Sequence, residues 1–299
     1  MPWPAIGTLP EMRSLGEFEL TRVVEMEGPS HRPDFMFPDA TSDVFEEHAG
    51  WLEPRYFDRA SGRLILCMQA FVIRTERHTI VVDTCIGNDK PRPARPEWHL
   101  RNAPFLDDLA RTGVRPEDVD FILCTHLHAD HVGWNTRLVD GRWAPTFPNA
   151  KYIFARREYA FWEARHREDA ESTNHGAFAD SVLPVMEAKQ AVLVDSDHQI
   201  EDGVWFEPAP GHTEGNVVIN VRSGGESAVF TGDVMHHPVQ LVRPDWSSRF
   251  CEDKALAHDT RRALIERFAD TDTWILPAHF ASPTIGRIVR AADGFGYKN

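Results

Sequence analysis

The stretch Phe121–Trp134, FILCTHLHADHVGW, constrains this chain more than any other. It opens as a short apolar run, Phe121-Ile122-Leu123-Cys124, the pattern of a buried strand. Side chains able to bind a metal follow at once: His126, His128, Asp130 and His131. Gly133 then closes the run and is expected to let the backbone turn. Imidazole and carboxylate are donors that zinc takes, and other first-row metals accept them too. A catalytic zinc uses about three protein ligands and keeps one position open. The donors crowded here exceed that number, so the run points to two metals side by side. A polar surface loop that merely happens to be rich in histidine is the plain alternative.

Other candidate groups share one placement. Val204–Glu207 reads as a strand and delivers Pro210-Gly211-His212. Ala228–Thr231 delivers Asp233, and Trp274–Leu276 delivers His279. Thr79–Asp83 ends in Asp83, a turn aspartate able to cap its own backbone. Residues at strand ends can converge on one edge of a layered fold, where rigid strands hold them for chemistry.

These segments carry a resemblance. THLHADH matches the HxHxDH signature of the metallo-β-lactamase superfamily, and VVDT at 81–84, PGHT at 210–213, FTGD at 230–233 and PAH at 277–279 resemble its companion motifs in order. The resemblance implies an α/β fold, an αββα sandwich of two mixed sheets flanked by helices, with a two-metal site at one edge. It implies that His126, His128 and His212 hold one divalent ion, zinc being the expected metal. Asp130, His131 and His279 would hold the other, with Asp233 bridging. Asp130 would also orient a metal-bridging hydroxide, and Asp83 would support the ligand loop from behind. The lactonases of this superfamily carry a tyrosine three residues after the bridging aspartate; His236 stands there in this chain. An imidazole at that place can donate to a substrate oxygen or protonate a leaving group, or it can simply support Asp233. The family's flavo-di-iron members carry glutamate where His128 stands, which argues against redox chemistry.

Composition narrows the partners. The net charge of −14 disfavours nucleic acid and anionic membrane surfaces. Four scattered cysteines, without a CxxC pair, suit a reducing cytoplasm. The N-terminus MPWPAIGTLPEMR lacks the basic and apolar regions of a signal peptide, and no apolar run is long enough to span a membrane. Without linkers or low-complexity segments, residues 1–299 read as one domain; a homodimer stays open. Phe18–Val24, Leu64–Ile73, Lys151–Ala155 and Ala191–Val194 read as further strands, and Asp140-Gly141 marks a hairpin turn. Phe105–Thr112, Arg156–Arg167, Gly176–Lys189 and Asp253–Phe268 read as helices, with an interruption at Ser172–His175. Pro29–Pro54 is either a lid or a surface excursion over one sheet, and Gly87–Pro96 is irregular.

Two metals can keep a shared hydroxide nucleophilic at neutral pH, so no serine nucleophile is needed, and GxSxG is absent. The expected function is hydrolysis of lactones or activated esters. Candidate pocket walls are Trp51, Phe57, Trp98, Trp134 and Phe161, which suit a small, largely uncharged substrate. An organophosphate triesterase and a β-lactamase are the enzymatic alternatives. A glyoxalase-II thioesterase fits less well, since no separate helical domain follows His279. A nuclease conflicts with the charge, and a metal-stabilised binding module needs a closed coordination shell.

Overall fold

The structure is a computed structural model and describes residues 12–170, 173–292 and 294–299. The segment read for a leader, up to residue 11, and Ser172 of the expected helix interruption lie outside the described residues. Strands β1 (Met12–Leu15) and β2 (Phe18–Pro29) come first, followed by short helices α1 (Pro33–Met36), α2 (Ser42–Glu47) and α3 (Ala49–Leu52). Then come β3 (Phe57–Asp58), β4 (Arg63–Arg74), β5 (Thr79–Val82), helix α4 (Phe105–Arg111) and β6 (Phe121–Leu123). Helix α5 (Ala129–Val132) precedes β7 (Thr136–Val139), β8 (Arg142–Pro145), β9 (Lys151–Ala155) and helix α6 (Arg156–Glu168). Helix α7 (Leu183–Glu187) leads to β10 (Ala191–Val194), β11 (Gln199–Glu201), β12 (Val204–Pro208), β13 (Val217–Ser223) and β14 (Glu226–Gly232). Helices α8 (Val239–Val242) and α9 (Lys254–Phe268), then β15 (Trp274–Pro277), β16 (Arg287–Ala291) and β17 (Gly294–Lys298), complete the chain.

The chain forms two compact units. The first runs up to Glu25 and resumes over Met68–His198; the second comprises Met26–Cys67 and Gln199–Asn299. In the first, strand order is β1-β2-β4-β5-β6-β9-β10. β4 and β5 are antiparallel, whereas β5, β6, β9 and β10 run parallel. The parallel strands read as near-continuous apolar runs because both faces are covered. Parallel neighbours also place their carboxyl ends on one edge, and β5 and β6 deliver Asp83 and the His126 loop there. The second unit repeats the scheme with β11-β12-β13-β14-β15, antiparallel except for β14 and β15. Its parallel pair delivers Asp233 and His279 from adjacent strand ends. Glycines at 224 and 225, both at positive φ, make the tight turn between β13 and β14.

Several expectations change. Residues 29–54 are no loose lid: Met36, Phe37, Val44, Phe45 and Leu52 bury themselves around Trp246, which is fully buried. The irregular 87–100 segment is likewise pinned from inside. Arg92 forks onto Asp180 at 2.6 and 2.8 Å, and the Lys90 ammonium sits 3.6 Å above the Trp143 ring. The predicted helix over 176–189 is regular only in α7; a π-helical turn at Phe178–Val182 precedes it, so that Asp180 turns inward. The hairpin β16–β17 escaped the sequence reading, although the sequence carries Asp293-Gly294 there, the same turn pair as Asp140-Gly141.

Gly133 does not act through a left-handed turn, since its φ is −57°. It is glycine for want of space: a Cβ would stand 1.8 Å from the Ile86 carbonyl oxygen. That close approach lets Gly133 N–H reach Cys85 O and Trp134 N–H reach Thr84 O, both at 2.8 Å. Gly133→Ala must push two backbones apart. We expect a loss of at least about 1–3 kcal/mol in urea unfolding. An unchanged midpoint would show that the two segments separate freely.

Candidate metal centre

In the first unit the donor loop follows β6 with its side chains already oriented. Asp83 ends β5 in a left-handed conformation, φ 54°, which turns its carboxylate toward the loop. One carboxylate oxygen accepts the Thr125 N–H at 2.8 Å. The other accepts the Thr125 hydroxyl and the His131 Nδ1–H, both at 2.9 Å. Asp83 therefore supports the loop and does not merely cap its own turn. Because a carboxylate only accepts, His131 carries its proton on Nδ1 and presents a bare Nε2. The hydroxyl that donates to Asp83 can accept from His126 Nδ1 at 3.1 Å, which leaves His126 Nε2 bare as well. That Nε2 lies 2.9 Å from His128 Nδ1. Donor atoms of Asp130 and His131 likewise lie within 4.8 Å of one another. His126 and His131 are buried, while His128 and Asp130 are partly exposed.

The second unit builds its half around a single carboxylate. His279 Nε2 lies 2.9 Å from one Asp233 oxygen; His212 Nε2 and His236 Nε2 lie 3.1 Å from the other. The rear nitrogens are tied down. His279 Nδ1–H donates to the Cys67 carbonyl at 2.9 Å, and His212 Nδ1 sits 3.5 Å from the Cys251 sulfur. Burial works against protonation of His212, but the Asp233 carboxylate outweighs it and raises the imidazole to about 10. The Asp233 carboxylate thus favours positive charge at this place, which a divalent cation would supply.

The candidate residues fit a metal by this pattern. His126, His131, His212 and His279 each have Nδ1 engaged by a protein group, which holds the ring and aims Nε2 outward. Metal-binding histidines are oriented in that way. His236 and His237 part company. His237 is a structural tie, with Nε2 2.8 Å from the Tyr56 carbonyl and Nδ1 accepting from Val239 N–H at 3.1 Å. His236 stacks on His279 at 5.8 Å, and its Nδ1 makes no hydrogen bond. Burial, opposed by Asp233, pushes the His236 imidazole down to about 4.

Of the expected pocket walls, Trp134 belongs to the core. Its indole donates to Glu25 at 2.8 Å and its ring stacks on Phe105. Trp98 is also buried, beneath Arg95 and edge-on to His175. Trp51, Phe57 and Phe161 remain half-buried. Sequence reasoning missed Glu158, Asn174 and Cys251, which brace the donor segments without belonging to any spacing rule.

Known proteins share this plan. Over 184 residues the chain is 28% identical to an N-acyl homoserine lactonase of Bacillus thuringiensis, a match over 56% of this chain that spans 64% of the relative's length. The hydrolase AbOPH, described as in the beta lactamase superfamily, superposes with a TM-score of 0.81 at 24% identity, covering 97% of this chain and 96% of that one. AidC, a dizinc quorum-quenching lactonase, gives 0.76 at 22% identity with 96% of both chains covered. These likenesses show the expected αββα fold. The family model described as the metallo-beta-lactamase superfamily matches residues 69–279, and the chain belongs to that superfamily.

Proposed function

We propose that this chain is a metal-dependent hydrolase of lactones and other activated esters, working with two zinc ions. One observation carries the reading. Three buried histidines, His212, His236 and His279, bring a ring nitrogen within 2.9–3.1 Å of the one Asp233 carboxylate. Such donor density suits cation binding better than hydrogen bonding alone. In this reading His126, His128 and His212 would hold one ion and Asp130, His131 and His279 the second, with Asp233 as a shared ligand. Bound there, the ions would supply Lewis acidity and activate water at neutral pH.

The chain's own groups do the rest. Asp83 keeps His131, and through Thr125 also His126, in the tautomer that leaves Nε2 free to bind. The Cys67 carbonyl does the same for His279. Asp130 orients the attacking oxygen. His236 is neutral at physiological pH, so it offers one N–H to a substrate or leaving-group oxygen without adding charge. The overall charge of −14 disfavours a polyanionic substrate and suits a small, uncharged one. The likeness to a lactonase sequence and to a lactonase structure supports a lactone as that substrate. We assign the cytoplasm as its compartment, since Cys67, Cys85, Cys124 and Cys251 are all free and buried. Among the described residues no helix is long and apolar enough to cross a membrane. A homodimer is compatible with this reading, and neither nucleic acid nor membrane is a partner in it.

Elemental analysis of protein purified without chelator should find about two metal equivalents per chain. Asp233→Asn should lose ions and turnover together while circular dichroism stays native. A value near zero after zinc reconstitution contradicts the proposal.

His236→Ala should retain both ions and lower kcat by about 10²–10³-fold, the effect of losing one positioned N–H donor to the substrate oxygen. Loss of metal instead would make His236 a support for Asp233.

Substrate class is tested by kcat/KM on lactones, aryl esters, paraoxon-type triesters, a cephalosporin and a glutathione thioester. Lactones or aryl esters should lead and triesters should follow. A tenfold lead for the cephalosporin or the thioester, about 1.4 kcal/mol in transition-state binding, would refute the lactonase reading.

A further inference from the structure

The donor segment Leu127–Ala129 belongs to no strand ladder, yet side chains hold its backbone in place. Leu127 N–H donates to Glu158 Oε1 at 2.9 Å, and Glu158 is held in turn by the Trp162 indole at 2.7 Å. Leu127 O accepts from Asn174 Nδ2 at 2.6 Å, and Ala129 N–H donates to Asn174 Oδ1 at 3.0 Å. One side-chain amide thus bonds the peptide groups on both sides of His128, as a neighbouring strand would.

The turn that presents this amide is unusual. Asn174 and His175 are consecutive left-handed residues, φ 50° and 54°, and Gly176 follows at 80°. Consecutive left-handed residues are costly for L-amino acids and persist only when their surroundings over-determine them. Arg92, fully buried, supplies part of that constraint by donating to the His175 carbonyl at 2.9 Å while it grips Asp180. Asparagine tolerates the left-handed region well, and its conformation alone would be a sufficient reason for it in an ordinary turn. What conformation does not explain is the paired bonding to Leu127 and Ala129. Glycine separates the two roles, because it adopts the same backbone more easily and has no amide to offer.

We propose that Asn174 is a positioning residue for metal binding: its amide fixes the backbone on either side of His128 and so holds that imidazole in its ligating pose. The proposal rests on His128 being a ligand, as inferred above. Asn174 itself touches neither metal nor substrate in it.

The test uses the full-length protein and zinc or cobalt alone, read by chelator competition and by the cobalt visible spectrum. Asn174→Gly should keep the thermal midpoint of the metal-free protein near wild type. One of the two ions should bind about 10–100-fold more weakly, with a changed cobalt spectrum. In a His128→Ala background the same substitution should weaken binding no further. Affinity within twofold of wild type for Asn174→Gly overturns the proposal, and so does an equal loss with and without His128. If His128→Ala itself leaves both affinities unchanged, the ligand reading fails instead, and the two failures are thereby told apart. Should Asn174→Gly not fold, Asn174→Asp keeps the acceptor for Ala129 N–H but sets a carboxylate against the Leu127 carbonyl. It must then show the same selective weakening of one ion.

Discussion

The buried Asp83 carboxylate is the interaction on which the donor loop depends. It receives a backbone N–H, a hydroxyl and an imidazole N–H, all from the segment after β6. A buried carboxylate without such partners would carry a heavy desolvation cost, so the loop and the aspartate stabilise one another. The same bonds set which nitrogen of each histidine carries hydrogen. Fold stability and coordination chemistry are therefore one network here, and a change that loosens the loop also scrambles its tautomers. In the second unit the corresponding work falls to a backbone carbonyl and a thiol, behind His279 and His212.

Much of this was legible in the sequence, because strand ends deliver the donors and apolar runs mark strands. β9 and β10 have the expected limits, and the turn at Asp140-Gly141 lies between β7 and β8. His126, His212, Asp233 and His279 come just after strand ends, while Asp130 and His131 lie in the short helix α5. What stayed hidden depends on distant packing. Residues 29–54 look polar and loop-like, but their aromatic anchors meet Trp246, which lies far along the chain. Glu158 and Asn174 belong to no motif, since their partners are backbone groups of residues well separated in sequence. Gly133 was read as a turn glycine, whereas its reason is the carbonyl of Ile86, a contact that local pattern cannot reveal. Trp134 looked like a pocket wall only because it adjoins the motif; Glu25, from a distant strand, claims its indole.

The adjacent histidines after Asp233 show how one backbone step divides roles. His237 uses both nitrogens for the fold, with a carbonyl on one side and an amide on the other. His236 is positioned through its backbone, whose N–H donates to Gln240 at 2.7 Å, and its ring is left for Asp233. Gln240 is anchored in turn to the Trp246 carbonyl at 2.8 Å. The core that covers residues 29–54 and the ring beside Asp233 thus share one support.

His212 owes its place to helix α9. Gly211 sits so close to that helix that a Cβ would come within 2.3 Å of the Ala257 nitrogen. Thr260 donates its hydroxyl to the Pro210 carbonyl at 2.6 Å, and Asp253, the residue that caps the helix, donates its N–H to Gly211 O at 3.0 Å. The helix seats the histidine as a keel seats a mast. Its outer face is exposed. A substitution at Ala257 or Thr260, which supply no metal-binding atom themselves, would act directly on the backbone that carries His212.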